Sequence, residues 1–348
     1  MKRSSIWILV AVTSLSLVTI LSGYEASHLN NLKRGVEYWN TWRKHTRFAN
    51  TDLSGAVLTN IGLWRVEMAY TDLSRSVLRN ADIRFSNLTE AKLNDSDLER
   101  IVLDGTILLY VDLRRSNLSR ARLVDANLQR ADLQQVNLTG ASLTNTDLRL
   151  ANIQFANLSN AVFSACDFRG ANLMGSRIVQ TSFADSDLSQ VKLNFARFDQ
   201  ANLRKANMIR SDFAGSEFIK CDFRNARLEN SDLSQMRFTA CKFIEAKIES
   251  SLLMHSMLSN CDLTSSDFAK CNLERASLIN CDLSRANFSG ANLRYSDLTG
   301  ISIRGTMFHN ADLRGARVDN HWKHYLFQQR VLGYNTIRWI TPESTRTP

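Results

Sequence analysis

The chain has 348 residues, 44% of them apolar, enough to bury one large folded domain. Its 43 Lys and Arg against 34 Asp and Glu give a net charge of +9, but the excess sits at the ends: residues 1–45 carry six basic and two acidic side chains, and residues 319–348 carry four and two. The long middle keeps 33 basic and 30 acidic residues, a balance that argues against an acidic surface imitating phosphates and against a basic stripe binding them.

In chain order, residues 1–26 come first. Lys2 and Arg3 precede a stretch from Ile6 to Gly23 without a charge, intermediate in length between a signal-peptide core and a membrane span. No A-x-A-like cleavage site follows, so the segment reads as an uncleaved single-pass transmembrane helix; a cleaved signal, leaving a secreted or periplasmic protein, is the alternative, and a helix buried in a soluble cap the third. Lys2 and Arg3 favour a cytoplasmic N-terminus. Lys33, Arg34, Arg43, Lys44 and Arg47 compete with them but begin ten residues past Gly23, which places the remainder of the chain outside the cytoplasm, in a periplasm or lumen.

Residues 27–47 form a juxtamembrane or capping helix, with Leu32, Val36 and Trp39 at helical spacing. Trp39 and Trp42, among basic residues, are candidates for a membrane interface. A cap laid over the segment that follows is the competing reading.

Residues 48–318 repeat every five residues. From Leu53 to Val318, 54 positions in unbroken register are all Leu, Phe, Ile, Met or Val. Two residues before each stands a small residue or, less often, Val, Ile or Met; the residue directly before is often Asp or Asn. On an α-helix a step of five would wind these side chains around every face, and on one long strand it would alternate them between faces. A chain that turns a corner every five residues satisfies the pattern: the large residue and the small one two before it point inward, and the other three face solvent or the corner. Asn and Asp suit corners because their side chains bond nearby backbone. No proline falls within residues 47–318, in keeping with an uninterrupted ladder of strands. Residues 319–348 form a C-terminal helical cap and tail, in which Trp322 and Leu326 are placed to cover the last turn.

The stretches "ANLSNAVFSACDFRGANLMGS" (156–176) and "CDLSRANFSGANLRYSDLTG" (281–300) resemble the pentapeptide-repeat family, and the likeness covers about three quarters of the chain. "GVEYWNTWRKH" (35–45) resembles the segment that often precedes the first repeat. The resemblance implies an all-β solenoid, a right-handed quadrilateral β-helix with four pentapeptides per coil and roughly 13 coils. It also implies that residues 20 apart stack in columns. Cys221, Cys241, Cys261 and Cys281 then form one column of inward thiols, read as packing. Arg75, Asp95 and Arg115 form an outward column of alternating charge.

No nucleophile elbow, phosphate loop, paired C-x-x-C or Cys/His cluster is present, so no catalytic, cofactor or metal site is expected. The outward aromatics Trp64, Tyr70, Tyr110, Phe155 and Phe195 are the candidate surface for a protein partner; Tyr70, Tyr110 and Leu150 share one column, and Phe155 and Phe195 another. The expected function is a non-enzymatic, membrane-tethered scaffold or protein–protein interaction rod, held in the membrane by its N-terminal helix, with nucleic acid not expected as a partner. The family supplies an alternative, a DNA mimic that binds a type II topoisomerase.

Overall fold

The computed structural model describes residues 25–46 and 51–341. The segment assigned to the membrane therefore lies almost wholly outside the described residues; among those described, no helix is long and apolar enough to cross a membrane. The chain divides into two compact units, Met1–Ala156 and Asn157–Pro348.

Each unit is the quadrilateral β-helix that the period of five calls for. Bridges join residues 20 apart in parallel, Asp52 to Asp72, Val57 to Val77, Gly62 to Asp82 and Glu67 to Asn87, and the same offset recurs throughout. A corner every five residues and a partner every 20 leave four sides to a coil. The expected single count of roughly 13 coils becomes two counts, about five coils in the first unit and about eight in the second.

Where Asp or Asn precedes the inward leucine, every backbone N–H of the pentad is accounted for, and this accounting explains the repeat. Around Leu53, the Leu53 N–H donates up to Asp72 O at 2.7 Å, and the Gly55 N–H to Ser74 O at 2.8 Å. The Ala56 N–H closes the corner onto Leu53 O at 3.0 Å, and the Asp72 N–H reaches down to Thr51 O. One N–H per pentad, that of the residue after the leucine, has no backbone acceptor. The Asp or Asn before the leucine supplies it: Ser54 N–H donates to Asp52 Oδ1 at 2.8 Å, Thr139 N–H to Asn137 Oδ1 at 3.1 Å, and Thr264 N–H to Asp262 Oδ1 at 3.0 Å. This corrects the assignment of Asp and Asn to corners. They lie on the flat of each side, and the corner is the residue two after the leucine, held at φ near +60° whether it is Asn60, Arg130, Ala165 or Phe195.

The large inward residues are buried. In the first unit they are Leu, Ile and Met; in the second, phenylalanines form stacks, Phe198 on Phe218 at 4.4 Å and Phe218 on Phe238 at 5.1 Å between centroids. At the small inward position Ser, Thr and Cys act alike. Thr106 Oγ1–H donates to Ile83 O at 3.0 Å, Ser251 Oγ–H to Leu228 O at 2.8 Å, and Cys281 Sγ–H to Leu258 O at 3.1 Å.

Helices α1 (Ala26–Lys33) and α2 (Val36–His45) close the open edge of the first coil. The Asn40 side-chain amide imitates a strand: its Oδ1 accepts the Glu67 N–H at 2.8 Å and its Nδ2 donates to Arg65 O at 2.9 Å. Trp39 Nε1–H donates to Glu67 O at 2.7 Å, His28 Nδ1 accepts the Asp52 N–H, and the Arg43 guanidinium donates to Thr51 Oγ1 and Ala69 O. An edge that would otherwise offer bare donors and acceptors is thereby covered.

In the second unit the in-register strands lengthen into a parallel sheet of β1 (Arg177–Val179), β2 (Arg197–Asp199), β3 (Glu217–Ile219), β4 (Arg237–Thr239) and β5 (Met257–Ser259). Further on, β6 (Asp297–Leu298) pairs with β7 (Arg317–Asp319). The chain then leaves the ladder through a 3-10 turn, Asn320–Trp322, and helix α3 (Lys323–Gln328), where Leu326 is buried. It re-enters as β8 (Arg338–Ile340), parallel to β7, so the tail contributes a strand as well as a helical cap.

Candidate functional site

Trp39, a candidate for the membrane interface, is completely buried against the first coil, with its indole N–H committed to Glu67 O. It faces protein, because an apolar ring one helical turn from Val36 is what the open end of the solenoid needs covered. Trp42 is half-buried and tilts against Trp39 with centroids 5.1 Å apart. Arg43, one of the basic residues that follow the uncharged run, is buried beside them, and burial pushes its pKa down.

The outward aromatics are exposed. In the first unit Tyr70, Glu90, Tyr110, Arg130 and Leu150 occupy one corner column, coil above coil. Tyr110 is 52% exposed and the Arg130 guanidinium stands 5.7 Å from its ring centroid. Two coils separate successive apolar members, about 10 Å. Trp64 and Phe155 are also exposed in this unit. In the charge column of Arg75, Asp95 and Arg115, the upper step is an ion pair: Arg115 Nε and Nη2 donate to the two carboxylate oxygens of Asp95, each at 2.7 Å, and this pairing holds the Asp95 carboxyl down to about 2.

Phe195, in the second unit, is 69% exposed, yet one face of its ring is in use. A Cβ placed on Gly215, one coil above, would come within 2.6 Å of that ring. Tyr295 covers Gly315 in the same way, and in the first unit Phe85 covers Gly105. These corner aromatics lie flat over a glycine 20 residues later. The signal for this packing in the sequence is an aromatic at one position and glycine 20 on. Phe195 is therefore a packing residue on one face and an open surface on the other.

Cys221, Cys241, Cys261, Cys271 and Cys281 are buried free thiols, and Cys166 is buried as well. Burial pushes the Cys271 thiol up to about 12, and hydrogen bonds with Cys221 and Cys261, together with burial, push Cys241 up. Among the described residues no group of three or more His, Cys, Asp or Glu is placed to hold a metal ion.

Arginines one residue after a large inward residue follow a rule that the sequence did not announce. Where Asp stands before that apolar residue, the two clasp across it: Arg84 with Asp82, Arg114 with Asp112, Arg224 with Asp222 and Arg314 with Asp312. Asp82, Asp112, Asp222 and Asp312 are thus each answered by a cation on the same side of the coil.

Eight copies of the family model described as pentapeptide repeats match residues 63–95, 81–120, 96–135, 116–154, 126–164, 151–190, 181–218 and 221–260. A model described as a pentapeptide repeat region matches residues 251–334. No curated protein matches the chain. Among solved structures, the chain is similar to HetL, a pentapeptide repeat protein involved in heterocyst differentiation regulation in the cyanobacterium Nostoc sp. strain PCC 7120. There the identity is 24%, with 79% of this chain and 94% of that one covered and a TM-score of 0.26. It is also similar to QnrB1, a plasmid-mediated fluoroquinolone resistance protein, at 17% identity over 60% of this chain and 96% of that one, TM-score 0.41. A pentapeptide repeat protein of the Arabidopsis thaliana thylakoid lumen aligns at 16% identity over 44% and 77%, TM-score 0.16.

Proposed function

The chain belongs to the pentapeptide-repeat family, and from that premise we propose that it is a non-enzymatic scaffold, tethered to a membrane by residues 1–26 and docking another protein on its outer sides. The observation that carries the docking reading is the corner column of the first unit, where Tyr70, Tyr110 and Leu150 stand exposed at equal steps of two coils. A straight row of apolar anchors with Glu90 and Arg130 between them suits the flat face of a partner: aromatic anchors supply the contact and flanking charges set the register. The tether rests on the uncharged run Ile6–Gly23 behind Lys2 and Arg3, with the repeats on the side away from the cytoplasm. A cleaved signal would make the same scaffold a periplasmic or secreted one.

The other reading, a DNA mimic for a type II topoisomerase, needs a continuous acidic surface. Asp82, Asp95, Asp112, Asp222 and Asp312 are each ion-paired to arginine, which favours the scaffold.

The test is capture with the full-length protein extracted in detergent, in parallel with a Tyr110→Ser, Leu150→Ser double variant. The scaffold reading expects proteins that bind the first and not the second. A topoisomerase bound by both would reverse the order of the two readings. The tether is tested separately: full-length protein should stay with membranes through high salt and alkaline carbonate, and a chain starting at Ala26 should be soluble and keep its β-sheet signal.

A further inference from the structure

Where the second unit ends, one side of the coil carries a groove of about 640 Å³ whose walls include Asp282, Ser284, Arg285, Ser302, Arg304 and Trp322. It arises from the way the solenoid stops. Asp282 bridges to Ser302, and Arg285 N–H donates to Arg304 O at 2.9 Å, so two coils stack in the ordinary way. No third coil follows on this side, because the chain leaves the ladder after Asp319 and turns through Asn320–Trp322. Trp322, anchored by its Nε1–H on Ile301 O at 3.2 Å, stands where the next coil would have placed a short polar residue. The result is a concavity on an otherwise flat side, of a size that suits a small ligand.

The Asp–Arg clasp does not reach into this groove; Arg79, Arg204 and Arg294 also lack an Asp two before them, but here an unclasped arginine lies in a concavity beside a second one. At Arg84, Arg114, Arg224 and Arg314 the residue two before is the Asp that clasps the guanidinium. At Arg304 that place is taken by Ser302, so the clasp is missing. Arg285 lays its stem over Gly305, with Cγ 3.6 Å from where a Cβ would sit. Among the described residues, neither Arg285 nor Arg304 has an ion-pair partner. Two guanidiniums without carboxylates therefore line one concavity, alongside the Ser284 and Ser302 hydroxyls and an indole. The single acid, Asp282, accepts the Ser284 N–H at 2.9 Å; it keeps acceptor capacity for a ligand hydroxyl or amino group.

We propose that this groove binds a phosphate monoester carried on a small ring-bearing molecule. The dianionic phosphate pairs with Arg285 and Arg304, the geometry for which guanidinium is suited. The ring lies against Trp322, and Asp282 takes a hydroxyl or amino hydrogen of the carrier. This goes beyond the scaffold reading and does not rest on it: the groove is confined to the second unit, whereas the docking column is in the first.

The test is calorimetric titration of the detergent-extracted full-length protein at low salt with adenosine 5′-monophosphate, ribose 5-phosphate, inorganic phosphate and adenosine. The expected result is one saturable site per chain for adenosine 5′-monophosphate and no binding of adenosine. Arg285→Gln and Arg304→Gln should each weaken binding by about tenfold or more, since each removes charge-assisted hydrogen bonds to the phosphate. Trp322→Ala should weaken adenosine 5′-monophosphate while leaving inorganic phosphate unchanged. Arg275→Gln, on another column, should bind as the parent does, and circular dichroism melting of each variant checks that it has folded. Absence of saturable binding to both phosphate monoesters up to about 10 mM would overturn the proposal, as would folded Arg285→Gln and Arg304→Gln variants that bind as tightly as the parent.

Discussion

Phe218→Ala is the most informative perturbation of the core. Phe218 is fully buried, stacked between Phe198 at 4.4 Å and Phe238 at 5.1 Å, and meets the edges of Phe213 and Phe223 at 6.0 and 5.3 Å. Truncating a buried phenylalanine costs about 3–5 kcal/mol, and a ring that is stacked on both faces belongs at the upper end of that range. The space left cannot collapse, because the backbones above and below are fixed by the ladder. About 5 kcal/mol is a large part of a typical domain's stability of roughly 5–15 kcal/mol. In a solenoid each coil contacts only its neighbours, so the loss should be local. Hydrogen exchange read by mass spectrometry should show protection falling about a thousandfold or more across β2 to β4, with the segments of the first unit unchanged. Phe195→Ala, at an exposed ring that only shields Gly215, should cost about 0.5–1 kcal/mol in a urea titration. Equal losses for the two substitutions, or a loss spread evenly over both units, would refute the reasoning.

Ala240 holds φ at +54°, so Ala240→Gly should raise stability by about 0.5–1 kcal/mol, seen as a higher urea midpoint; a lowered midpoint would show that the corner is not strained. Cys271, its thiol pushed up to about 12 by burial, should react with iodoacetamide at pH 8 only as fast as the chain unfolds, and rapid native-state alkylation would contradict the packing account. Asp95, lowered to about 2 by Arg115, contributes stability that is complete above the ordinary carboxyl pKa and drains away as pH falls from about 4 to about 2. The pair is solvent-exposed, so the amount is under about 1 kcal/mol; Arg115→Ala should return the Asp95 titration, followed by NMR, to near 4, and a native Asp95 already titrating there would exclude the pairing.

The solenoid was legible because its signal is redundant. An apolar residue at every fifth position admits one backbone solution, and the inward cysteines followed from the same register. What remained hidden depends on relations that a linear pattern does not display. The N–H served by Asp52 or Asn137 is orphaned only once the ladder has used the other four. Left-handed corners at Arg130 or Ala240 cannot be read from residues with no preference for that conformation; the fold imposes it. Asn40 and Arg43 looked like solvent-facing polar residues of an amphipathic helix, and their roles appear only when the bare edge of the first coil lies beneath them. The groove at Trp322 depends on a break in the Asp–Arg clasp, which is invisible until the clasp itself is known.

The pairing of Phe195 with Gly215 bears on how such a chain can lengthen or shorten over generations. Deleting one pentad between them would keep every leucine in phase, yet Lys220 would then arrive beneath the ring in place of glycine, where no Cβ fits. The same slip would bring each later column against the wrong neighbour by a quarter turn, separating clasped charges and stacked rings together. Deleting or duplicating 20 residues leaves every such partnership whole. Five is the period in which this protein is written, but 20 is the step in which it can be edited.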